Sequence, residues 1–370
     1  MLKFRYGCVV LACCSCALAA YAAGRDITPT SDGQVIETLS PRIRTSATTP
    51  EAATIAARQA ITLARDTADT RYLGRAQATL QRWWDAPDAP VELAVLQATV
   101  HQGRHEFTAA RRVLEAALKR DPTHAQGWLT LATLERVGGN YPAALAACQA
   151  VQQAGAALYA QACALETQSL QGQHDTARNG LERLRKQSPS PAVQAWLLSL
   201  SAENDERAGL DAQAIKAYQT SLALAPDTYT AIAAVDALLR SQRMDEAAKI
   251  LAQQPDSDAV LLRRAYAMKL QKNSAWQTLA SQVQQRLDAL DQRGDDPASH
   301  ARERALLHVW LTGDAQRALT SAKLNLTLQK EPFDWWLAIK SAQLAGDKAQ
   351  ADTWQRAAAA TGLRDVRLAQ

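Results

Sequence analysis

The sequence contains few residues of the kinds that interrupt helices or anchor nucleic acids. Its 370 residues include only 16 glycines and 13 prolines, while alanine, leucine, glutamine and arginine are abundant. Helix-forming residues at this density predict an all-α protein. Basic and acidic residues are interspersed, without a long run of either sign. This pattern lacks the clustered positive charge that is typical of nucleic-acid-binding proteins, and no acidic tail is present.

Motifs for catalysis and metal binding are also missing. The sequence has no His-Glu-x-x-His, glycine-rich phosphate loop, paired-cysteine metal motif or Gly-x-Ser-x-Gly. His101 and His105 have a helical metal-ligand spacing, but a glycine lies between them at a predicted turn, where we expect solvated side chains. His300 and His308 are expected at the surface of one helix. Since no histidine base is placed near Cys148, we expect no enzymatic activity, metal or cofactor.

The N-terminal segment 1–23 has the pattern of a secretory signal. Lys3 and Arg5 form a basic region, Cys8 to Ala20 an apolar one, and Ala20-Tyr21-Ala22 an Ala-x-Ala cleavage site. The apolar stretch is shorter than the ~20 residues that a membrane span needs, so we predict cleavage. Alternatives are an uncleaved anchor or a lipoprotein processed at Cys13. We expect an exported protein, periplasmic in a Gram-negative bacterium or secreted, with a mature net charge of +2 after Lys3 and Arg5 are subtracted from +4.

Alanine recurs along the chain at a nearly constant interval. The positions are Ala76, Ala110, Ala144, Ala177, Ala214, Ala247, Ala318 and Ala351. One step, from Ala247 to Ala318, is about twice the length of the others. A small residue every ~34 positions marks a repeated close approach of two helices, and such a period is typical of a solenoid. Most units are degenerate, and the stretch from Ala259 to Asp291 has Trp276 and Leu279 but no clear small residue in register.

The residues around these alanines resemble the tetratricopeptide repeat. The clearest unit has Trp128-x2-Leu131-Ala132 followed by Gly139-Asn140-Tyr141-x2-Ala144, after a closing Asp121-Pro122. Related patterns are Ala214-Ile215-x2-Tyr218, Gly313-Asp314-x3-Ala318 and Trp335-x10-Gly346-Asp347-x3-Ala351. The resemblance implies an all-α, right-handed superhelical solenoid of about nine antiparallel helix pairs over residues 50–370. An extended arm (24–49) precedes it, and Thr49-Pro50-Glu51 is a typical helix start.

The two cysteines outside the predicted signal, Cys148 and Cys163, lie symmetrically about a predicted turn at Gln153 to Ala156. Residues equidistant from the turn of an antiparallel helix hairpin tend to face one another, and an exported protein meets oxidising conditions. We hypothesise a disulfide between the second helix of one unit and the first helix of the next. The alternative is two small buried apolar side chains.

In such a solenoid the first helix of each pair lines a concave face. If Trp335 points into the core, Trp336 is turned about 100° away toward that face. The same argument gives the predicted partner-binding residues: Arg136, Trp196, Tyr229, Arg240, Trp310, Phe333, Trp336 and Lys340. Aromatic side chains interleaved with cations suit an extended or helical peptide. Alternatively, these side chains cover seams between helices.

The sequence therefore predicts a non-catalytic scaffold that binds a protein or peptide partner in its concave groove, and no nucleic acid. Two other functions stay open. One is an assembly factor or chaperone for an exported or envelope complex. The other is binding of a glycan or small ligand among the aromatic side chains of the groove.

Overall fold

The protein is described by a computed structural model that covers residues 49–369. The predicted signal peptide (1–23) and the predicted arm (24–49), except for its last residue, lie outside the described residues. Within residues 49–369 every regular element is helical. We number the α-helices α1 to α18 in chain order and group them in nine consecutive pairs.

The pairs are α1 (Pro50–Thr67) with α2 (Arg71–Leu80), α3 (Val91–Gly103) with α4 (Phe107–Arg120), α5 (Ala125–Val137) with α6 (Tyr141–Gln153), α7 (Ala157–Leu170) with α8 (His174–Gln187), α9 (Pro191–Arg207) with α10 (Asp211–Leu224), α11 (Thr228–Arg240) with α12 (Met244–Leu251), α13 (Asp258–Leu270) with α14 (Trp276–Gln292), α15 (Ala301–Leu306) with α16 (Ala315–Leu328), and α17 (Pro332–Leu344) with α18 (Lys348–Ala360). Helix α15 is preceded by a 3-10 turn, Pro297–His300, and continues as a π-helix, Leu307–Thr312. A last 3-10 turn, Val366–Ala369, follows α18.

Local signals account for the helix boundaries. The Thr49 hydroxyl accepts a hydrogen bond from the Ala52 N–H, and Pro50 occupies the first turn of α1, as the sequence predicts. Between α5 and α6, Gly139 adopts a φ of +75°, a left-handed conformation that glycine tolerates without strain. Pro142 then lies in the first turn of α6, where its missing N–H costs nothing.

The periodic alanines lie in the second helices, where each is buried against the first helix of its pair. In α4, α6, α8, α10, α12, α16 and α18 the alanine is the fourth residue of the helix. The seventh pair follows the same rule with Ala280, the fifth residue of α14, which is also buried. The prediction that this pair has no small residue in register was therefore wrong. Ala280 lies one repeat length after Ala247. It is the fifth residue rather than the fourth because α14 begins one residue earlier, relative to its alanine, than those second helices do.

First helices of successive pairs contact one another along the array, whereas second helices pack mainly on the first helices that flank them. The first helices therefore form an inner layer and the second helices an outer layer. This arrangement confirms the predicted all-α solenoid of about nine helix pairs, in which each pair buries the apolar faces of its neighbours.

The last pair also contacts pairs that are distant in sequence. The Lys330 N–H donates to the Val137 carbonyl at 2.7 Å, and the Arg364 N–H donates to the Leu170 carbonyl at 2.8 Å. Val137 and Leu170 end α5 and α7, so the C-terminal part of the solenoid meets the turns of the third and fourth pairs. Contacts of this kind go beyond nearest-neighbour stacking.

A disulfide joins Cys148 in α6 to Cys163 in α7, with their Cα atoms 5.6 Å apart. The bond links the third pair to the fourth, which is the pairing that the sequence hypothesis names. Both cysteines are buried. Separately, none of the helices described here is long and apolar enough to cross a membrane.

Candidate functional site: the inner face of the solenoid

Three successive first helices carry the same two-residue pattern on their inner face. An aromatic residue near the start of each helix is followed seven positions later by an acid. The pairs are Tyr159 with Glu166 in α7, Trp196 with Glu203 in α9, and Tyr229 with Asp236 in α11. Seven residues are close to two helical turns, so both side chains of each pair lie on one face. The repeat thus creates an aromatic row and an acidic row that cross the fourth, fifth and sixth pairs.

The aromatic row (Tyr159, Trp196 and Tyr229) is open to solvent at both ends. Tyr229 is 63% exposed and Tyr159 is 42% exposed. The ring centroids of Tyr159 and Trp196, which is half-buried, lie 5.7 Å apart. Such spacing is in the range of favourable aromatic pairs. The row is therefore an apolar edge with free ring area.

Sequence reasoning identified Trp196 and Tyr229 but missed Tyr159. The missing signal was the repeat itself. The steps that separate the three aromatic residues are identical to those that separate the alanines of the same pairs, Ala177, Ala214 and Ala247. Applying the alanine register to the first helices would have found Tyr159.

The acidic row (Glu166, Glu203 and Asp236) is held by partners on neighbouring first helices. Arg136 of α5 lies 3.0 Å from Glu166. The Tyr229 hydroxyl donates to Glu203 at 2.9 Å. Arg263 of α13 forms a two-pronged contact with Asp236 at 2.8 and 2.6 Å. Bidentate guanidinium–carboxylate contacts are strong and geometrically specific, so these bonds fix successive inner helices to one another.

The two predicted partner-binding arginines of this region are consequently engaged within the solenoid. Besides Glu166, Arg136 contacts the Cys163 Sγ at 3.4 Å. Arg240 pairs with Glu206 and lies 3.4 Å from Asp211. The structure thus gives Arg136 and Arg240 intramolecular carboxylate partners that the sequence did not predict, because those partners come from adjacent pairs.

The Glu203 carboxyl group of the inner face has a strongly raised pKa. Burial raises its pKa to about 7, and the nearby charges of Glu166 and Glu206 act in the same direction. The negative charge of Glu203 in turn raises the pKa of Tyr229 well above its ordinary value. Glu203 thus changes charge near neutral pH while it holds the hydroxyl of the most exposed aromatic residue in the row.

Trp310 contradicts the prediction that it lines an open groove. It is only 8% exposed and stacks on Tyr266 with ring centroids 4.7 Å apart. The reason is the π-helix Leu307–Thr312, whose wider turn changes the helical phase on which the prediction depended. Lys269 stabilises this turn, since its ammonium donates to the Trp310 and Leu311 carbonyls at 2.9 and 2.8 Å.

Phe333 and Trp336 extend this buried cluster rather than the open row. Their ring centroids lie 5.3 Å apart, and that of Trp336 is 6.5 Å from Trp310. Arg263 lies over Trp310 and Phe333. Both Phe333 and Trp336 are half-buried, as is Lys340. We call Tyr266, Trp310, Phe333 and Trp336 the aromatic cluster.

The histidine predictions also need correction. His101 is buried beside the Trp84 ring and bonds to Glu106, rather than being solvated. His308 is buried and contacts the Thr312 hydroxyl at 2.9 Å, and burial lowers its pKa. His101 is covered by the Trp84 ring from the preceding pair, and His308 lies among side chains of α14 and α16. Across the described part of the chain, no three His, Cys, Asp or Glu side chains gather as they would around a metal ion.

Comparison with known proteins supports the fold. No protein-family model matches the chain, and no curated protein matches its sequence. Among solved structures, it is similar to a Rap protein complexed with Competence and Sporulation Factor, with 10% identity over 86% of each chain and a TM-score of 0.53. It is also similar to the human IFIT1 dimer with m7Gppp-AAAA, with 12% identity over 84% of this chain and 72% of that chain and a TM-score of 0.51. These neighbours are helical-repeat proteins of tetratricopeptide type, and the fold of this chain is accordingly tetratricopeptide-like.

Proposed function

We propose that the protein is a non-catalytic scaffold that binds a protein or peptide partner on the inner face of its fourth to sixth helix pairs. The observation that carries this proposal is the aromatic row with its two exposed tyrosines. Large exposed rings held in fixed positions by a rigid scaffold are suited to partner recognition, because their burial releases much energy at little cost in side-chain entropy.

The Tyr229 side chain illustrates this preorganisation. Its hydroxyl is held by Glu203 while most of its ring stays in water. A bound partner would bury that ring without first having to fix its position. Tyr159 and Trp196 already pack together and extend the same surface toward α7.

The acidic row favours a protein over a nucleic acid as the partner. Glu166 and Asp236 pair with Arg136 and Arg263, so these guanidinium groups are already engaged and are less able to bind the phosphates on which nucleic-acid affinity depends. Backbone amides and basic side chains of a peptide would meet favourable acceptors there.

We further propose that the protein acts in the cell envelope after export. The basic and apolar N-terminal pattern supports this location, as does the pairing of the two remaining cysteines. A dedicated partner would then be an exported or membrane-anchored protein.

Site-specific photocrosslinking tests the proposal. A benzoylphenylalanine residue would replace Tyr229, and the irradiated complexes would be isolated from an envelope extract. The matched control carries the same residue in place of Leu224, which is 41% exposed at the end of the outer helix α10. We expect one dominant adduct from position 229 that is absent from position 224.

Other outcomes would indicate a different function or a different interface. Many weak adducts from position 229 would indicate a chaperone for unfolded clients. Equal adducts from both positions would place the interface elsewhere. Absence of protein adducts, together with retention on polysaccharide that is lost in Tyr229→Ala, would indicate a glycan-binding surface.

A further inference from the structure

The segment that follows α18, residues 361–369, crosses the turns of three successive helix pairs. We call it the tail segment. Thr361 lies beside Gly139 in the third pair, Arg364 beside Gly172 in the fourth, and Val366 beside Gly209 in the fifth. The three glycines occupy equivalent turns between the first and second helices, and all three have positive φ.

Only the middle of the tail segment can be extended: residues 361–362 form a turn, residues 363–365 lie outside any helix or turn, and Val366–Ala369 is a 3-10 turn. Two residues separate the contacts at Gly172 and Gly209, and an extended chain covers up to about 3.3–3.6 Å per residue. The resulting advance of about 7 Å is close to the 8–10 Å between packed helices. The tail segment therefore contacts the fourth and fifth pairs in turn, as a bound peptide would.

Glycine is required where the tail segment passes. A Cβ atom on Gly172 would lie 2.9 Å from the Arg364 Cβ, and one on Gly209 would lie 3.2 Å from Val366. At Gly346, the equivalent turn of the ninth pair, an added Cβ would meet nothing within 4 Å. The fourth and fifth turns thus form a backbone-lined strip, with the Leu170 carbonyl accepting from the Arg364 N–H at 2.8 Å.

Beyond this strip, one arginine of the tail segment enters a pocket in the solenoid. The Arg367 guanidinium lies 3.3 Å from the buried Glu206 carboxylate. Asp365 orients it, accepting from the Arg367 Nε at 2.9 Å and Nη2 at 2.6 Å. Because Asp365 and Arg367 are bonded to each other, they form a unit that enters or leaves the pocket together.

The pocket residue Glu206 has other partners besides this unit. Without Arg367, Glu206 still accepts from the Tyr218 hydroxyl at 2.7 Å and still pairs with Arg240. The last buried apolar anchor of the segment is Leu363; beyond it, Val366 is 42% exposed and Leu368 is only partly buried. Residues 364–369 are therefore held mainly by polar contacts, among them those of the fully buried Asp365 side chain, and a partner segment with the same polar groups can take their place.

We propose that the tail segment is a built-in occupant of a peptide-binding strip, formed by the Leu170 carbonyl, Gly172, Gly209 and Glu206. The strip takes a segment of a partner protein that crosses the fourth and fifth turns and then closes in a 3-10 turn, with an acid and an arginine two residues apart in place of Asp365 and Arg367. This inference rests on the proposed function only in taking the partner to be a protein. The site itself is separate, because the strip lies at the turns and shares no residue with the aromatic row.

The test uses a chain that ends at Leu363 and a fluorescent synthetic peptide with the sequence of residues 363–369. We expect saturable binding of the peptide to the shortened chain. The complete chain should bind it at least about tenfold more weakly, because its own segment occupies the strip and leaves only a small binding-competent fraction. A peptide with Arg367→Gln should lose most of the affinity.

Matched variants of the shortened chain locate the site. Gly172→Ala and Gly346→Ala introduce the same left-handed strain, but only Gly172→Ala obstructs the strip. We expect loss of peptide binding in Gly172→Ala alone. Trp196→Ala/Tyr229→Ala should leave peptide binding unchanged, so a failure here is distinguishable from a failure of the inner-face proposal.

A second variant covers the case in which the shortened chain does not fold. The complete chain with Asp365→Asn/Arg367→Gln keeps every backbone contact but weakens its own segment, so it should bind the native peptide more tightly than the unchanged chain does. The proposal is overturned if a folded shortened chain binds no peptide. Equal affinities of the shortened, complete and doubly substituted chains would overturn it as well.

Discussion

The aromatic row and the aromatic cluster differ in how far their rings are exposed to solvent. In the fourth to sixth pairs, the aromatic row stands at the surface, with Tyr229 63% exposed. In the seventh to ninth pairs, the aromatic cluster closes on itself around Trp310, which is 8% exposed. Both sets lie on the inner layer, so position in the repeat alone does not decide exposure.

The difference comes from the residues that accompany each aromatic ring. In the open half, an acid seven residues further on pairs with a side chain of a neighbouring helix, and this polar layer keeps the rings from collapsing inward. In the buried half, Arg263 covers Trp310 and Phe333, and Phe333 is followed seven positions later by Lys340 rather than an acid. One half can therefore offer a binding surface, while the other stabilises the array.

The comparison predicts its largest effect for Trp310→Ala. Removing this buried ring should lower the free energy of unfolding by about 3–5 kcal/mol, because it leaves a cavity beneath Tyr266 and Trp336. Trp196→Ala is the matched control in the open half and should cost about 1 kcal/mol. Urea denaturation followed by circular dichroism measures both. Equal losses would mean that the two halves do not differ as their exposures indicate.

A second prediction concerns the disulfide that ties the third pair to the open half. Reduction should destabilise the chain by about 3 kcal/mol in the chain-entropy model for a 15-residue loop. The measurement is the urea midpoint with and without dithiothreitol, with Cys148→Ala/Cys163→Ala as the variant that should not respond. Alkylation before and after reduction, read by mass, reports the bond directly. An unchanged mass would show that both thiols are free.

The regular part of the fold is predictable because its determinants are local. A buried alanine near the start of each second helix, with glycine and proline at the turns, sets the helix pairs without reference to distant residues. Trp310 is different, because its burial depends on a π-helix whose freed carbonyls are satisfied by Lys269, in the preceding pair. No periodicity in the sequence contains that contact.

The candidate site was predictable only in part for a related reason. Helical phase placed Trp196 and Tyr229 on the inner face, and the alanine register would have added Tyr159. The ion pairs of Arg136 and Arg240 join different repeats, so they depend on how the pairs stack. The same holds for the tail segment, whose Arg364 bonds to Leu170 of the fourth pair, far away in the sequence.

A smaller effect on folding stability is expected when a change in pH alters the charge of the acidic row. The folded-state pKa of Glu203 is raised to about 7, so folding holds its proton more tightly than the unfolded chain does. Its stabilising contribution is complete below about pH 4.5 and is lost as the pH rises through 7. Glu203→Gln should remove that loss and raise the melting temperature at pH 8 by about 2 °C, with no gain at pH 4.5.

The exposed Glu115→Gln variant controls for a general effect of removing one negative charge. It should shift the melting temperature equally at pH 4.5 and pH 8. If Glu203→Gln gives the same flat response, then folding does not raise the Glu203 pKa and the aromatic row lacks the proton-dependent support inferred for it.

The smallest effect on stability is expected at Tyr229, which is also where the effect on binding should be greatest. Tyr229→Ala should change the free energy of unfolding by less than about 1 kcal/mol, because most of the ring is in water and the main loss is the hydroxyl bond to Glu203. Its partner affinity should fall about thirtyfold, as for an aromatic anchor worth about 2 kcal/mol.

Tyr229→Phe distinguishes the contribution of the ring from that of its hydroxyl bond, since it keeps the apolar area but loses the hydroxyl bond to Glu203. If Phe binds like Tyr, ring area alone drives recognition; if Phe binds like Ala, the Glu203 bond is needed to hold the ring in place. A Tyr229→Ala chain that binds with unchanged affinity would contradict the division of the solenoid into a binding half and a stabilising half.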